Sequence, residues 1–251
     1  MPINEVFPNP TVKQVIFQIR YPNLFYLENK IGEFQLLVME KFPETHLLFR
    51  QQVVFADVGP EAKIDLPEPQ QGSKVWRFES PQKVKLNIMS NSLDLTSEFH
   101  KTYMNAGAEY KFRDIIEFVV DNFIKVIGIP VINRIGLRYI DECPLPETLA
   151  NGAYQEFYNT TLPLGRFNIQ DAQNLHFQGQ VKRGKHHFRL SEKFLYEKEK
   201  PRLIMDFDAF SLNIKASEYL LISDELHTII STEYEGLLKK PVFDIMRTQA
   251  R

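Results

Sequence analysis

The sequence predicts an α+β fold of two pseudo-repeated halves, residues 1–129 and 130–251, packed together as one compact unit. Each half is expected to be an antiparallel sheet with a long amphipathic helix packed on one face. Three observations predict this. Short runs of period-two apolar alternation recur between Pro, Asn and Gly punctuation. Two long segments carry an apolar stripe at helical spacing. Short boxes also recur at nearly one offset: I-F-Q-I-R-Y ending at Tyr21 resembles R-I-G-L-R-Y ending at Tyr139, 118 positions on, and T-S-E-F at Thr96–Phe99 resembles A-S-E-Y at Ala216–Tyr219, 120 positions on. Ferredoxin-like and helix-grip arrangements share this order of elements.

In the first half, V-K-Q-V-I-F-Q-I-R-Y alternates, with Val15, Phe17, Ile19 and Tyr21 on one side and Gln14, Gln18 and Arg20 on the other. A helix is predicted over 24–41, since Leu27, Ile31, Phe34, Leu37 and Val38 repeat helically and Pro43 stops it. Strands are expected at about 47–56, 74–79, 83–89 and 92–95. The polar loop E-P-Q-Q-G-S separates the first two, and turns at Pro81-Gln82 and Ser90-Asn91 join the rest. A long helix over 108–127 has the stripe Phe112, Ile116, Val119, Val120, Phe123 and Ile127, with Gly128 as its C-terminal cap.

The second half opens on N-R-I-G-L-R-Y-I-D-E, a strand with Arg134 and Arg138 on one side and Ile135, Leu137 and Tyr139 on the other. A short helix is expected near 146–159, then strands at 174–181, 186–191 and 202–210, the first two joined by K-R-G-K. The last long helix is expected to start at Ser223, an N-cap with Asp224 and Glu225 beside it, and Pro241 interrupts it.

Charge and composition narrow the function. A net charge of −2 argues against a general nucleic-acid coat. A single cysteine, Cys143, excludes an internal disulfide and a Cys-rich zinc site, and suits a reducing compartment. No signal-peptide pattern and no bilayer-length apolar run is visible, so a cytoplasmic protein with no membrane partner is expected. No phosphate-cradling glycine loop, nucleophile elbow or histidine metal motif occurs, and no cofactor is expected.

Across nearly its whole length the chain resembles a sporadically distributed, functionally uncharacterised prokaryotic family. The resemblance rests on N-P-T-V-K-Q-V-I-F-Q-I-R-Y, on V-W-R-F-E-S at Val75–Ser80, on R-I-G-L-R-Y-I-D, on M-D-F-D at Met205–Asp208, and on Leu226-His227. The family's central box more usually ends in Asn where this chain has Asp141. The resemblance implies a patchy distribution of the kind seen for defence or mobile-element genes, and it transfers no catalytic residues.

Three constellations are candidate sites. Arg20, Arg134 and Arg138, with Tyr139, form a candidate anion or ligand site at the junction of the halves, because a guanidinium fork matches phosphate or carboxylate; the structural alternative is ion pairing with Asp206 or Asp208. Asp206 and Asp208, two apart on a strand, share a side, and their repulsion calls for a metal, an arginine or a raised pKa. With Asp141 or Glu142 as third ligand they are the candidate metal and catalytic residues. The hairpin bearing Lys182, Arg183, Lys185 and Arg189 is the candidate nucleic-acid contact, with Phe188 available for base stacking; the alternative is a solvated hairpin tip. His227 is read as a packed residue and Cys143 as inert.

The leading reading is a non-enzymatic binding or adaptor protein, associated with a defence or mobile-element system, whose partner is another protein; a homo-oligomer is compatible with it. The alternatives are a metal-dependent enzyme acting on nucleic acid or nucleotides, and a small-ligand sensor with an arginine-anchored aromatic pocket.

Overall fold

The computed structural model describes residues 5–50, 73–104, 109–197 and 200–248. It is an α+β structure in which five helices pack on one nine-stranded antiparallel sheet. The strands are β1 (Val12–Arg20), β2 (Glu44–Arg50), β3 (Ser73–Glu79), β4 (Lys85–Met89), β5 (Ser92–Ser97), β6 (Val131–Cys143), β7 (Asn174–Arg183), β8 (His186–Glu197) and β9 (Lys200–Lys215). The helices are α1 (Leu27–Val38), α2 (Phe112–Ile127), α3 (Asn151–Phe157), α4 (Tyr219–Leu237) and α5 (Lys240–Arg247). Spatial order in the sheet is β2-β3-β4-β5-β1-β6-β9-β8-β7, so the strands expected as two sheets form one continuous surface, joined where β1 pairs with β6. Among the described residues no helix is long and apolar enough to cross a membrane.

Period-two alternation sorts the strand residues onto two faces. Val15, Phe17 and Ile19 of β1, Leu93 and Leu95 of β5, Ile135 and Leu137 of β6 and Met205, Phe207 and Ala209 of β9 are all buried beneath the helices. Helix α2 lays its predicted stripe on this layer, with Phe123 packed against Tyr21 and edge-on to Phe34 of α1. Gly128 ends α2 at φ 72°, the left-handed geometry that its place after the stripe predicts. The turn residue Gly184 likewise has positive φ.

Several boundaries differ from expectation. Helix α4 starts at Tyr219, led by a 3-10 turn over Ala216–Glu218, and Ser223 lies inside it. The Ser223 hydroxyl donates to the Tyr219 carbonyl at 2.7 Å, the back-bond a mid-helix serine makes, rather than capping a free N–H. Asp224 instead accepts from Arg113 Nε at 2.9 Å and Tyr103 Oη at 2.9 Å, tying α4 to α2. Strands β8 and β9 are longer than predicted, and most of their polar residues, Glu192 apart, sit on the face opposite the helices. The distal part of the 47–56 strand and nearly all of the E-P-Q-Q-G-S loop lie outside the described residues.

Candidate functional site

The parity that buries Ile135, Leu137 and Tyr139 under the helices also puts Asp141 there, in phase two residues on. Asp141 pairs across β6–β9 with core residue Met205, and across β1–β6 with Val12. Helix α4 covers this end of the strand and brings His227, Ser231 and Tyr234 against it. Between them lies a cavity of about 100 Å³, walled on its apolar sides by Val6, Phe7, Ile230 and Met246. That is room for about three waters or a ligand smaller than benzene.

Among the described residues, three buried side-chain atoms have no hydrogen-bond partner: Tyr139 Oη, Asp141 Oδ2 and His227 Nδ1. All three residues line this one cavity. Unsatisfied buried polar atoms are rare and costly, so their convergence makes this cavity the candidate site. The rest of each group is held in position. Thr11 Oγ1 donates to Asp141 Oδ1 at 2.7 Å and lies 2.6 Å from Tyr234 Oη. The His227 ring stacks on Tyr103 with centroids 4.4 Å apart, and its Nε2 is 3.3 Å from Ser231 Oγ.

Burial dominates the electrostatics. It pushes the Asp141 carboxyl up to about 7, against the smaller downward pull of the Thr11 hydrogen bond and of Lys101 and Lys13. It drives His227 down to about 4, so the imidazole is neutral at physiological pH. Burial also raises the Tyr139 phenol, chiefly by desolvation and then through Asp141, keeping it protonated. Lys101 stands at the rim, its ammonium held by the Val12 and Glu98 carbonyls at 3.0 and 2.7 Å. The site thus offers a tunable carboxyl, a neutral imidazole and a phenol in an apolar surround.

The arginine constellation lies on the opposite face of the sheet. Arg138 grips Asp206 through Nε at 2.7 Å and Nη2 at 2.5 Å. Asp208, buried, accepts Arg134 Nη2 at 3.1 and 3.2 Å and Arg189 Nη2 at 2.7 Å. Arg20 donates to Gln18 at 2.8 Å, and Gln18 in turn binds Asp94 at 2.6 Å. The ion-pair alternative therefore describes Arg134 and Arg138. Tyr139 points away from the guanidiniums, so no arginine anchors the aromatic cavity. Asp141 and the Asp206/Asp208 pair face opposite sides of the sheet and cannot share one ion. Among the described residues no group of three or more His, Cys, Asp or Glu is placed to hold a metal. Both aspartates already have the arginine partners that relieve their repulsion.

The basic hairpin does not stand free. Arg183 pairs with Glu233 and Lys185 with Glu225, both on α4, while Arg189 belongs to the Asp208 network. Phe188 is buried against Phe207 and is unavailable for base stacking. Cys143 is buried and its thiol is pushed up by desolvation, in keeping with an inert residue.

Sequence reasoning singled out Tyr139 and Asp141 but missed their common destination, and it read His227 as a packed residue. The available signal was an acid in phase with three core residues. Neither the protein-family models searched nor the curated proteins searched contain a match to this chain.

Proposed function

We propose that the protein is a non-enzymatic small-ligand-binding protein whose ligand occupies the cavity between β6 and α4. One observation carries the reading: every partnerless buried side-chain atom among the described residues belongs to a residue that lines that cavity. A purely structural carboxyl at this depth would be saturated, as Glu192 is. The test is ligand-observed NMR of the full chain against polar fragments of about four heavy atoms. Binding is expected, and it should disappear in Ser231→Met, which places a long side chain in the cavity. Silence across the fragment set rejects the reading.

An adaptor role in a defence or mobile-element system, with another protein as partner, is proposed on the sequence resemblance alone, as is membership of that sporadic family. A duplication of the two halves has one structural support. The β1–β6 register pairs Phe17 with Leu137, Gln18 with Gly136 and Ile19 with Ile135, and a shift of 118 exchanges the outer two pairs and returns the central pair to itself. The outer strands are less obliging: the registers carry Leu95 of β5 to Ser211 of β9, a shift of 116 rather than the 120 of the helix-leading boxes. Superposing the halves tests the duplication, and a best overlay that fails to pair Arg20 with Arg138 removes it.

A further inference from the structure

We infer that the ligand of this cavity is a small primary alkylammonium ion of about four heavy atoms. The inference rests on the cavity being a ligand site and adds the chemical class. It follows from the polarity of the hydrogen bonds. Tyr234 and Thr11 each carry one hydroxyl proton. The chain is complete when Tyr234 donates to Thr11 and Thr11 donates to Asp141 Oδ1. With Oδ1 taken by Thr11, the ionised Asp141 keeps Oδ2 as an acceptor without a partner, on a residue that lines the cavity. When His227 Nε2–H donates to Ser231 Oγ, Nδ1 is left as a second acceptor without a partner. The Tyr139 oxygen is a third acceptor. Three acceptors match the three N–H bonds of a primary ammonium group.

Charge argues in the same direction. A buried carboxylate without a cation is costly, and an ammonium ion neutralises it in place. Lys101 forms no ion pair with Asp141 because two carbonyls hold its ammonium group. The apolar wall formed by Val6, Ile230 and Met246 suits a short alkyl tail. A carboxylate ligand would meet the Tyr139 O–H but would set its charge against the Asp141 carboxylate. An alcohol has one proton for three acceptors.

The experiment is calorimetric titration of the full chain at about pH 8 with propylamine, propanol, propionamide and propionate, which are close in size. Propylamine remains protonated there, as a lysine amine does. It should bind at least about tenfold more tightly than the two neutral probes, the margin of one charge-assisted hydrogen bond, with no binding of propionate. Propylamine binding should be lost in Asp141→Asn and kept in Arg138→Ala, on the opposite face. Tyr139→Phe, which keeps the ring and removes one acceptor, should weaken it about tenfold. If propanol or propionamide binds as well as propylamine, the ammonium class is wrong while the cavity stands as a ligand site. If none of the four binds, both readings fall. Propylamine binding that survives Asp141→Asn in a folded variant also overturns the inference.

Discussion

Among the described residues three carboxylates are buried, Asp141, Glu192 and Asp208, and the fold treats them differently. Glu192 lies under α3 on the helix-covered face. It accepts from Tyr154 Oη, Thr160 Oγ1, and the backbone and hydroxyl of Thr161, at 2.6 to 2.9 Å. Asp208, on the opposite face, is held by two arginines. Asp141 has Thr11 on one oxygen and nothing on the other. The chain thus completes a buried acid by neutral donors in one region and by guanidiniums in another, and does neither at Asp141. Two of these acids have their acceptor capacity filled by the chain; the third keeps one oxygen without a partner, on which the proposed ligand site rests.

The largest expected effects separate these cases. Glu192→Ala strips four donors, from Tyr154, Thr160 and Thr161, of their acceptor and should cost about 4 kcal/mol in urea unfolding. A loss below about 1 kcal/mol would mean that these donors find other partners and that saturation is no sign of a structural acid.

Asp141→Asn should show a pH signature of similar size. With the folded carboxyl at about 7 against an ordinary 3.8, the folded state keeps a proton that the unfolded chain has released. This contribution to stability is full below about pH 4 and is lost as pH rises through 7. His227, displaced from 6.5 to about 4, runs the other way: its contribution is present above 6.5 and lost as pH falls toward 4. The two offset each other in the wild type over the shared window, so the variant is needed to expose the first. The stability of Asp141→Asn relative to wild type should improve by roughly 4 kcal/mol between about pH 4 and pH 8. A difference flat with pH would make Asp141 an ordinary carboxylate.

Asp208→Ala leaves Arg134 and Arg189 facing each other without an anion. Because Arg189 remains 37% exposed, the expected loss is about 2 to 3 kcal/mol, at the lower edge of what breaking a buried pair costs. Gly136→Ala tests the same network more gently. An added Cβ would meet Arg134 Nη1 at 2.6 Å, so the guanidinium, which folds across the glycine to reach Asp208, must move. Its flexible stem permits that, and a loss of about 1 kcal/mol is expected, largely absent when Asp208 is already alanine, as a double-mutant cycle would show.

Much of the architecture was legible in local pattern. The β1 alternation, the α2 stripe and its Gly128 cap follow from residues whose neighbours in sequence decide their conformation. The start of α4 was not, because Ser223-Asp224-Glu225 has the composition of an N-cap while Asp224 is committed to Arg113 and Tyr103 from distant segments. The pairing of the conspicuous charges was illegible for a related reason. Arg134, Arg138, Asp206 and Asp208 looked like a site because their partners were invisible along the chain, and in the fold they satisfy one another. Asp141 was legible by parity alone. What no sequence pattern disclosed was that His227, more than eighty residues later, arrives beside it with an unsatisfied nitrogen.

The cavity walls come from five separated stretches, around residues 5–12, 101–103, 139–141, 227–234 and 246. Asn9 N–H donates to the Met246 carbonyl at 3.0 Å, and Glu5 pairs with Arg247 at 2.8 Å, so α5 holds the early strap over the pocket. During synthesis the ribosome delivers that last wall only after all the others. A nascent chain therefore has no closed cavity until α5 has emerged and docked. Closure of the pocket is thereby tied to synthesis of the polypeptide through residue 247, and fragments lacking α5 should leave it open.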